Sequence, residues 1–333
     1  MTAIESQPTH AWPITFDDVQ SARSRIAPHI APTPFREHPQ LAELVGHDLS
    51  VYVKHENHQP TCSFKIRNGL SFMTALSAEE RRRGVVAAST GNHGQGIAYG
   101  ARMLGVPATV CVPAGNNPSK NAAMRALGAT VVEEGGDYDE CVQAMMRIAQ
   151  AEGRVVAHST NDPRVVAGAG TMTLEILEQC PDLDALVIAT GGGSQAVGAI
   201  TVARAIAPHL EVFGVQAAGA PAIHDSWHAR TRLTTPRAET FAEGVATRTT
   251  YDLTFGALLE GLAGFVTVTD AEIAEGLRTI LATTHNLVEG SGAIGFAALP
   301  KLAGRLAGKK VGIVFCGGNI DVGMLERILR REI

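Results

Sequence analysis

The sequence is poor in aromatic residues, which make up 5% of its 333 positions, with two tryptophans and four tyrosines. A core with so few rings has to be filled by aliphatic side chains, and 45% of the chain is hydrophobic. That is the composition of an ordinary globular protein, long enough for two core-bearing lobes. No apolar run reaches the ~18 residues needed to cross a bilayer. The opening Met1 to Pro13 also lacks the positive-then-apolar pattern of a secretory signal. The five cysteines, Cys62, Cys111, Cys141, Cys180 and Cys316, are odd in number and lack metal-type spacing. They indicate neither a disulfide framework nor a zinc cluster, and a reducing, cytoplasmic setting is expected. Net charge is only −5, which offers no basic surface for nucleic acid or an anionic membrane. Arg81-Arg82-Arg83, between Glu79-Glu80 and Gly84, reads as a solvated helix end favourable to the dipole. No repeat or low-complexity tract appears.

Glycine, by contrast, is plentiful at 35, which suits many tight strand-to-helix turns. Thr15 with Asp18 marks the start of a first helix running to about Ile26. From residue 84 short apolar strands alternate with amphipathic helices: strands at 84–88, 108–112, 130–132 and 155–157, helices at 92–104, 119–127 and 138–152. A second set has strands at 185–189, 212–215, 265–268 and 311–315, with a last helix from about Ile320. Such alternation predicts parallel βαβ units, hence an α/β fold. Two α/β lobes are expected: a larger one from 1–83 and 159–333, and a smaller, mobile one near 84–158 inserted into it. The active cleft should lie between them at the carboxyl ends of strands. Residues 218–255 are harder to read and suit a mobile loop.

The chain is organised around Thr61-Cys62-Ser63-Phe64-Lys65-Ile66-Arg67-Asn68-Gly69. Ser63 can N-cap a helix beginning at Phe64 or Lys65, which puts Lys65 in a first turn where the dipole disfavours its charge. Partial desolvation there favours the free amine, and free amines condense with carbonyl compounds. The plain alternative is a surface lysine on an amphipathic helix.

Three later turns supply partners. Ser89-Thr90-Gly91-Asn92-His93-Gly94-Gln95-Gly96 follows a strand and opens a helix, an anion site or simply a capped helix start. Thr190-Gly191-Gly192-Gly193-Ser194-Gln195-Ala196 lets backbone approach a bulky anion, most naturally a phosphate; a tight structural turn is the alternative. The same glycines fit a dinucleotide fingerprint, as in a nicotinamide-dependent dehydrogenase. That reading wants an acidic residue ending the next strand, where Gln216 and Ala217 stand. Phe315-Cys316-Gly317-Gly318-Asn319-Ile320-Asp321 closes the final strand.

The lysine stretch from Lys54 to Arg67, with these turns in the same order, resembles the pyridoxal-phosphate (PLP) enzymes of the tryptophan-synthase β fold, also called fold type II. The branch is the serine/threonine dehydratase and serine racemase group, and the match covers nearly the whole chain. The resemblance implies that Lys65 holds PLP, with Phe64 beside it. It implies that Gly191, Gly192, Gly193, Ser194 and Gln195 grip the phosphate and that Asn92 meets the phenolic oxygen. It also implies that Ser89, Thr90, Gly91, Asn92 and His93 take the substrate carboxylate. Cys316, where the group usually has serine, and Gly317 would lie at the ring nitrogen, the cysteine as thiol or thiolate. Gly244 would lie beside the ring. Glu289 would sit near the ring nitrogen, or else cap the helix at 293–302.

The implied activity is α,β-elimination of water from a 3-hydroxy amino acid to a 2-oxo acid and ammonia. Threonine or serine is the default substrate. Cys62 and Asn68 stand where the group usually has glycine and His58 where it usually has an apolar residue; a larger β-substituent of the phenylserine type is compatible with Cys62 and His58, which are expected to reshape the pocket near the lysine. Thr90 stands where the racemase has a serine working on the second cofactor face, so elimination is favoured over racemisation. The group's divalent-metal position falls on Gln216, so no tight divalent site is expected, though a monovalent ion on carbonyls is allowed. The resemblance also implies a homodimer, and the short tail after the last motif implies no appended regulatory domain.

Overall fold

The computed structural model describes residues 12–136 and 138–333; the polar opening read for a signal pattern lies, up to Ala11, outside them. Helix α1 (Phe16–Ile26) starts on the expected capping box: Thr15 accepts from the Asp18 amide and Asp18 returns a bond to Thr15. Strand β1 (Phe35–Glu37), helix α2 (Pro39–Val45), strand β2 (Ser50–Lys54), and helices α3 (Lys65–Thr74) and α4 (Ala78–Arg83) follow. Strand and helix then alternate: β3 (Val85–Ala88), α5 (Asn92–Leu104), β4 (Ala108–Val112), α6 (Pro118–Ala126), β5 (Thr130–Glu133), α7 (Tyr138–Glu152) and β6 (Val155–Val156). The sequence-based boundaries of these alternating elements hold to within a residue.

Helix α8 (Pro163–Gln179) fills a stretch that the sequence pattern passes over. Its start is well marked, with Asp162 accepting from the Arg164 amide and proline at the first helical position. Its body is apolar or small on nearly every face, so no amphipathic stripe shows. Next come β7 (Ala185–Ala189), α9 (Ser194–Ile206), β8 (Glu211–Ala217), α10 (Ala222–Ala229), α11 (Asp252–Gly261), β9 (Gly264–Val268), α12 (Asp270–Thr284), α13 (Gly290–Leu306), β10 (Lys310–Val314) and α14 (Val322–Leu329). The last helix begins two residues later than expected, because Asp321 caps it by accepting from the Met324 amide.

Among the described residues the strands form two sheets. One has the order β1-β2-β10-β7-β8-β9 and is parallel except for β1, which runs antiparallel to β2. The other, β5-β4-β3-β6, is wholly parallel. Strand β4 is buried throughout and β7 at all but its last residue, Ala189, so each sheet is covered on both faces, as parallel sheets require. Residues 218–255 hold α10, the start of α11 and a 3-10 turn at Glu243–Val245 rather than an open loop. The stretch is tied down where Thr240 and the Phe241 amide donate to Asp270.

Helices α3 and α5 join the two sheets by backbone contact. A Cβ added at Gly69 would fall 2.3 Å from the Gly96 carbonyl, and one at Gly96 would fall 2.4 Å from the Lys65 carbonyl oxygen. Any side chain there would push α5, and the turn before it, away from the lysine.

Candidate active site

Lys65 opens α3, one residue later than the earliest start allowed by the sequence. Phe64 precedes it in helical conformation and provides no side-chain cap. Ser63 is therefore not the capping residue in the usual register, although its Oγ accepts from the Lys65 amide at 3.3 Å. The preceding turn is stitched to the end of β10: Phe64 N–H donates to Cys316 O and Gly318 N–H to Cys62 O. Lys65 Nζ is 3.4 Å from Ser159 O. The residue keeps some surface open to the cleft. Protein packed round its amine still brings the pKa down to about 8, with desolvation as the main cause. The expected free amine is thus favoured chiefly by burial, with the dipole in a supporting role.

The turn at 89–93 lies at the carboxyl end of β3 and the start of α5. Ser89 Oγ accepts from the amides of Gly91 (3.2 Å) and Gly94 (2.9 Å), and Gly91 O accepts from Gln95. Among the described residues the amides of Asn92 and His93 have no acceptor, leaving the pair of donors that a helix start offers to an anion. His93 is buried, its Nε2–H donating to Ala157 O (2.9 Å), and desolvation lowers its pKa to about 3. It stays neutral and serves the wall of the site rather than titrating in it.

Asn92 Nδ2 donates to Glu289 Oε1 at 2.8 Å, and Asn319 Nδ2 donates to Asn92 Oδ1 at 2.8 Å and to Thr61 O at 2.9 Å. Glu289 does stand just before α13, but its side chain makes no cap bond. The carboxylate instead faces Asn92 and Gly317, where an added Cβ would lie 2.8 Å from it. Burial raises its pKa. Burial also pushes the Cys316 thiol well above its usual value, with Glu289 adding to the rise. Both effects favour the thiol form of Cys316 over the thiolate.

The glycine turn at 191–193 follows β7 and opens α9. Gly193 has φ +95°, and an added Cβ at Gly191 would fall 2.2 Å from Gly244 O. One at Gly192 would fall 2.0 Å from Thr160 Oγ1, while Thr254 Oγ1 donates to Gly192 O at 2.7 Å. Ser194 Oγ accepts from Asn68 Nδ2 at 3.4 Å. Gln195 departs from expectation: its amide is buried and points to Met172 Sδ (3.7 Å), so its side chain does not serve the turn. Two buried polar atoms beside the turn are unspent, Asn68 Oδ1 and Ser291 Oγ. Ser291 Oγ would be 2.4 Å from a Cβ on Gly244. A side-chain-free cradle, a helix start and unspent polar atoms fit a phosphate-bearing cofactor whose carbonyl reaches Lys65.

Two pocket expectations fare differently. Cys62 is exposed and has φ +51°, the left-handed conformation that glycine would adopt without strain. His58 is turned to Asn286 Oδ1 (2.8 Å) and stacks on His55, so it is spent away from the lysine. Gln216 accepts from the Ile223 and His224 amides and donates to Val245 O and Thr247 Oγ1. Among the described residues no group of three or more metal-ligating side chains converges, and no helix is long and apolar enough to cross a membrane.

Sequence reasoning missed the turn at 158–161, which places Ser159 O on Lys65 and Thr160 on Gly192. His158-Ser159-Thr160-Asn161-Asp162-Pro163 is a polar turn cluster after a strand, a signal that was available. It also missed Asn319 as the link between Asn92 and Thr61, and Ser291.

A parallel two-sheet fold with a desolvated lysine facing a glycine cradle defines a PLP site, and comparison with known proteins bears this out. The family model described as "Pyridoxal-phosphate dependent enzyme" matches residues 26–317. The chain is 39% identical over 321 residues to an L-threonine ammonia-lyase of Thermotoga maritima, covering 96% of this chain and 79% of that protein. The crystal structure of a T.th. threonine deaminase superposes with TM-score 0.86 at 34% identity, covering 92% of this chain and 99% of that one. The structure of maize serine racemase superposes with TM-score 0.91 at 28% identity, covering 96% and 98%.

The chain belongs to the family of pyridoxal-phosphate dependent enzymes. It is a PLP-dependent ammonia-lyase of the dehydratase kind, of fold type II. The nicotinamide reading of the glycine turn falls with this, and β8 ends in the buried, neutral Gln216 and Ala217.

Proposed function

We propose that the chain eliminates water from threonine or serine, giving a 2-oxo acid and ammonia. The observation that carries this is the convergence of one desolvated amine, Lys65, with two helix starts suited to anions, at 89–93 and 191–193. PLP, when bound, supplies an electron sink for charge developing at the substrate α-carbon. Lys65 would hold it, the 191–193 turn with Ser194 would take its phosphate, and Gly244, Cys316, Gly317 and Glu289 would border its ring.

The chain's own residues do the rest. The substrate carboxylate accepts from the amides of Asn92 and His93, which turns the α-hydrogen toward Lys65. Lys65, with its pKa near 8, takes that proton as a general base close to the working pH. Cys316, held as a neutral thiol, is a weak donor and so leaves the ring nitrogen without a strong acid beside it. Phe64 and the 61–64 turn fix the lysine stem from below.

Names of similar proteins support threonine as the substrate; a phenylserine-type substrate rests only on the altered pocket. A racemase reading is favoured by the likeness to maize serine racemase and opposed by Thr90. A homodimer is part of the proposal, to be read by light scattering. The deciding experiment assays a panel of 3-hydroxy amino acids for 2-oxo acid and ammonia, with chiral analysis of recovered substrate. Threonine and serine should turn over with little racemisation, and Lys65→Ala should be inactive. Racemisation outrunning elimination, or full activity in Lys65→Ala, would overturn the proposal.

A further inference from the structure

Lys120 belongs to no motif above, yet it reaches into the same cleft. It lies in the first turn of α6, whose capping residue Asn117 accepts from the Ser119 and Lys120 amides. Asn117 also donates to Asp321 Oδ2 at 2.8 Å, and the adjacent Asn116 donates to Thr90 O at 3.2 Å. The start of α6 is thus fixed against both the 89–93 turn and the segment after β10. From there the Lys120 stem runs over Gly91: an added Cβ on Gly91 would meet Lys120 Cδ at 3.3 Å, Cε at 3.8 Å and Nζ at 3.9 Å. The lysine side chain is only 13% exposed, while its partner, Glu243, is 59% exposed and pairs with it at 2.5 Å.

An ammonium that close to a pair of unspent helix-start amides adds a full positive charge to their partial ones. Its present partner is a carboxylate 59% exposed, which water can solvate on release, so exchanging it for another carboxylate keeps the ammonium paired. A carboxylate arriving on the amides of Asn92 and His93 would gain a charge-assisted contact without any other rearrangement.

We infer that Lys120 is a substrate-recognising residue: its ammonium, parked on Glu243, supplies the cation that meets the amino-acid carboxylate on the 89–93 turn. The inference rests on that turn being the carboxylate site. Glu243 acts as the internal competitor, holding Lys120 until substrate arrives.

The test uses the PLP-loaded enzyme and L-alanine, which shares the α-amine and carboxylate but has no β leaving group, so it reports binding alone. Affinity is read from the change in the cofactor's near-visible absorbance. Lys120→Met should weaken alanine binding by roughly ten- to a hundredfold, the range expected for losing one charge-assisted contact. Glu243→Gln should not weaken it, because it releases the lysine. With alaninamide, which lacks the carboxylate, the difference between wild type and Lys120→Met should vanish.

Equal weakening in both variants would make the pair a mere clasp between α6 and the 243–245 turn and would overturn the inference, as would wild-type affinity in Lys120→Met. Lys120→Arg, which keeps the charge, should restore most of the binding; failure to do so with the cofactor spectrum and melting temperature intact would also count against it. Since alanine binding is read apart from threonine turnover, failure of the dehydratase reading would appear separately, as wild-type enzyme that binds alanine but consumes no hydroxy amino acid.

Discussion

Replacing Glu175 by glutamine should cost the fold several kcal/mol although the residue touches no part of the candidate active site. Glu175, on α8, is 1% exposed and lies at the centre of a buried charge cluster. Arg67 donates to its two carboxylate oxygens at 2.8 and 2.7 Å, Lys54 donates at 2.8 Å, and Arg23 donates as well. Arg67 is shared with Glu56 through two further bonds of 2.8 Å. Lys54, Arg67 and Glu56 are fully buried. Two carboxylates therefore answer three cations, of which Arg23 alone is half-buried. The guanidinium and ammonium hold the Glu175 pKa below its usual value against the opposing effect of burial.

The amide variant would leave Lys54 with the Thr33 carbonyl and no carboxylate of its own. Breaking a buried pair on one side typically costs about 3–5 kcal/mol, because the orphaned charge remains. With an unfolding entropy of about 2 cal/mol/K per residue, a chain of 333 residues would lose about 4–7 °C in Tm. Thermal melting followed by circular dichroism at pH 7 measures this. Glu178→Gln is the control: Glu178 is 53% exposed and meets Arg23 at 3.4 Å, so its loss should matter by under about 1 kcal/mol. If Glu175→Gln melts within the error of Glu178→Gln, the cluster is not balanced through Glu175 and the reasoning fails.

Four further outcomes follow from the site. In cofactor-free protein the Lys65 amine should react with an aldehyde and a reductant increasingly as pH rises through about 8, well before ordinary lysines; peptide mapping of the labelled residue reads this. Because its folded pKa lies below the unfolded value of 10.5, the unfolded chain binds more protons between those pH values. Cofactor-free stability should therefore rise over that window, as a urea series would show. Cys316→Ser should leave the pH–rate profile in place, since the thiol it replaces is already neutral; a limb that moves by a pH unit would mean the thiol titrates. Gly191→Ala places a Cβ 2.2 Å from a backbone carbonyl, which no rotamer relieves, so the purified variant should carry much less near-visible absorbance per chain than wild type.

The fold was largely legible because its strands are short, apolar and separated by glycine-marked helix starts. All four strands of the smaller sheet, and their connecting helices, follow directly from that alternation. Helix α8 was not legible by periodicity: packed against α3 and α9 through Gly168, Gly170 and Gly198, it shows small or apolar residues on every side. The buried ion cluster was hidden for a related reason. Lys54 ends a strand, and Glu56 and Arg67 sit in polar-looking segments, so each reads singly as a surface charge; only α8, bringing Glu175, reveals the cluster. Within the site, Lys65, the two anion turns and the 315–319 segment could be read because helix starts after strands have a defined chemistry. Gln195 could not, because whether its amide faces a loop or the core depends on Met172, a residue of the unseen helix.

Burial is the main cause of the low pKa of Lys65, and a secondary contribution shares its origin with the placing of the two anion turns. Helices α3, α5 and α9 all begin near this amine, and each helix start carries a partial positive charge. Phosphate and carboxylate are drawn to that field, and the same field discourages protonation of a lysine within it. Glu289 is turned to Asn92, which donates to its carboxyl group. The close contact of Gly96 with the Lys65 carbonyl keeps α5 and α3 in a fixed relation, so the geometry behind the field is set by backbone packing rather than by flexible side chains. An ionised carboxylate placed beside the amine would raise its pKa and weaken the base while also repelling the substrate. The Ser159 carbonyl, 3.4 Å from the Lys65 amine, and the Cys316 thiol, which acts on it, are polar but uncharged at neutral pH, and that is what the chemistry at this site requires.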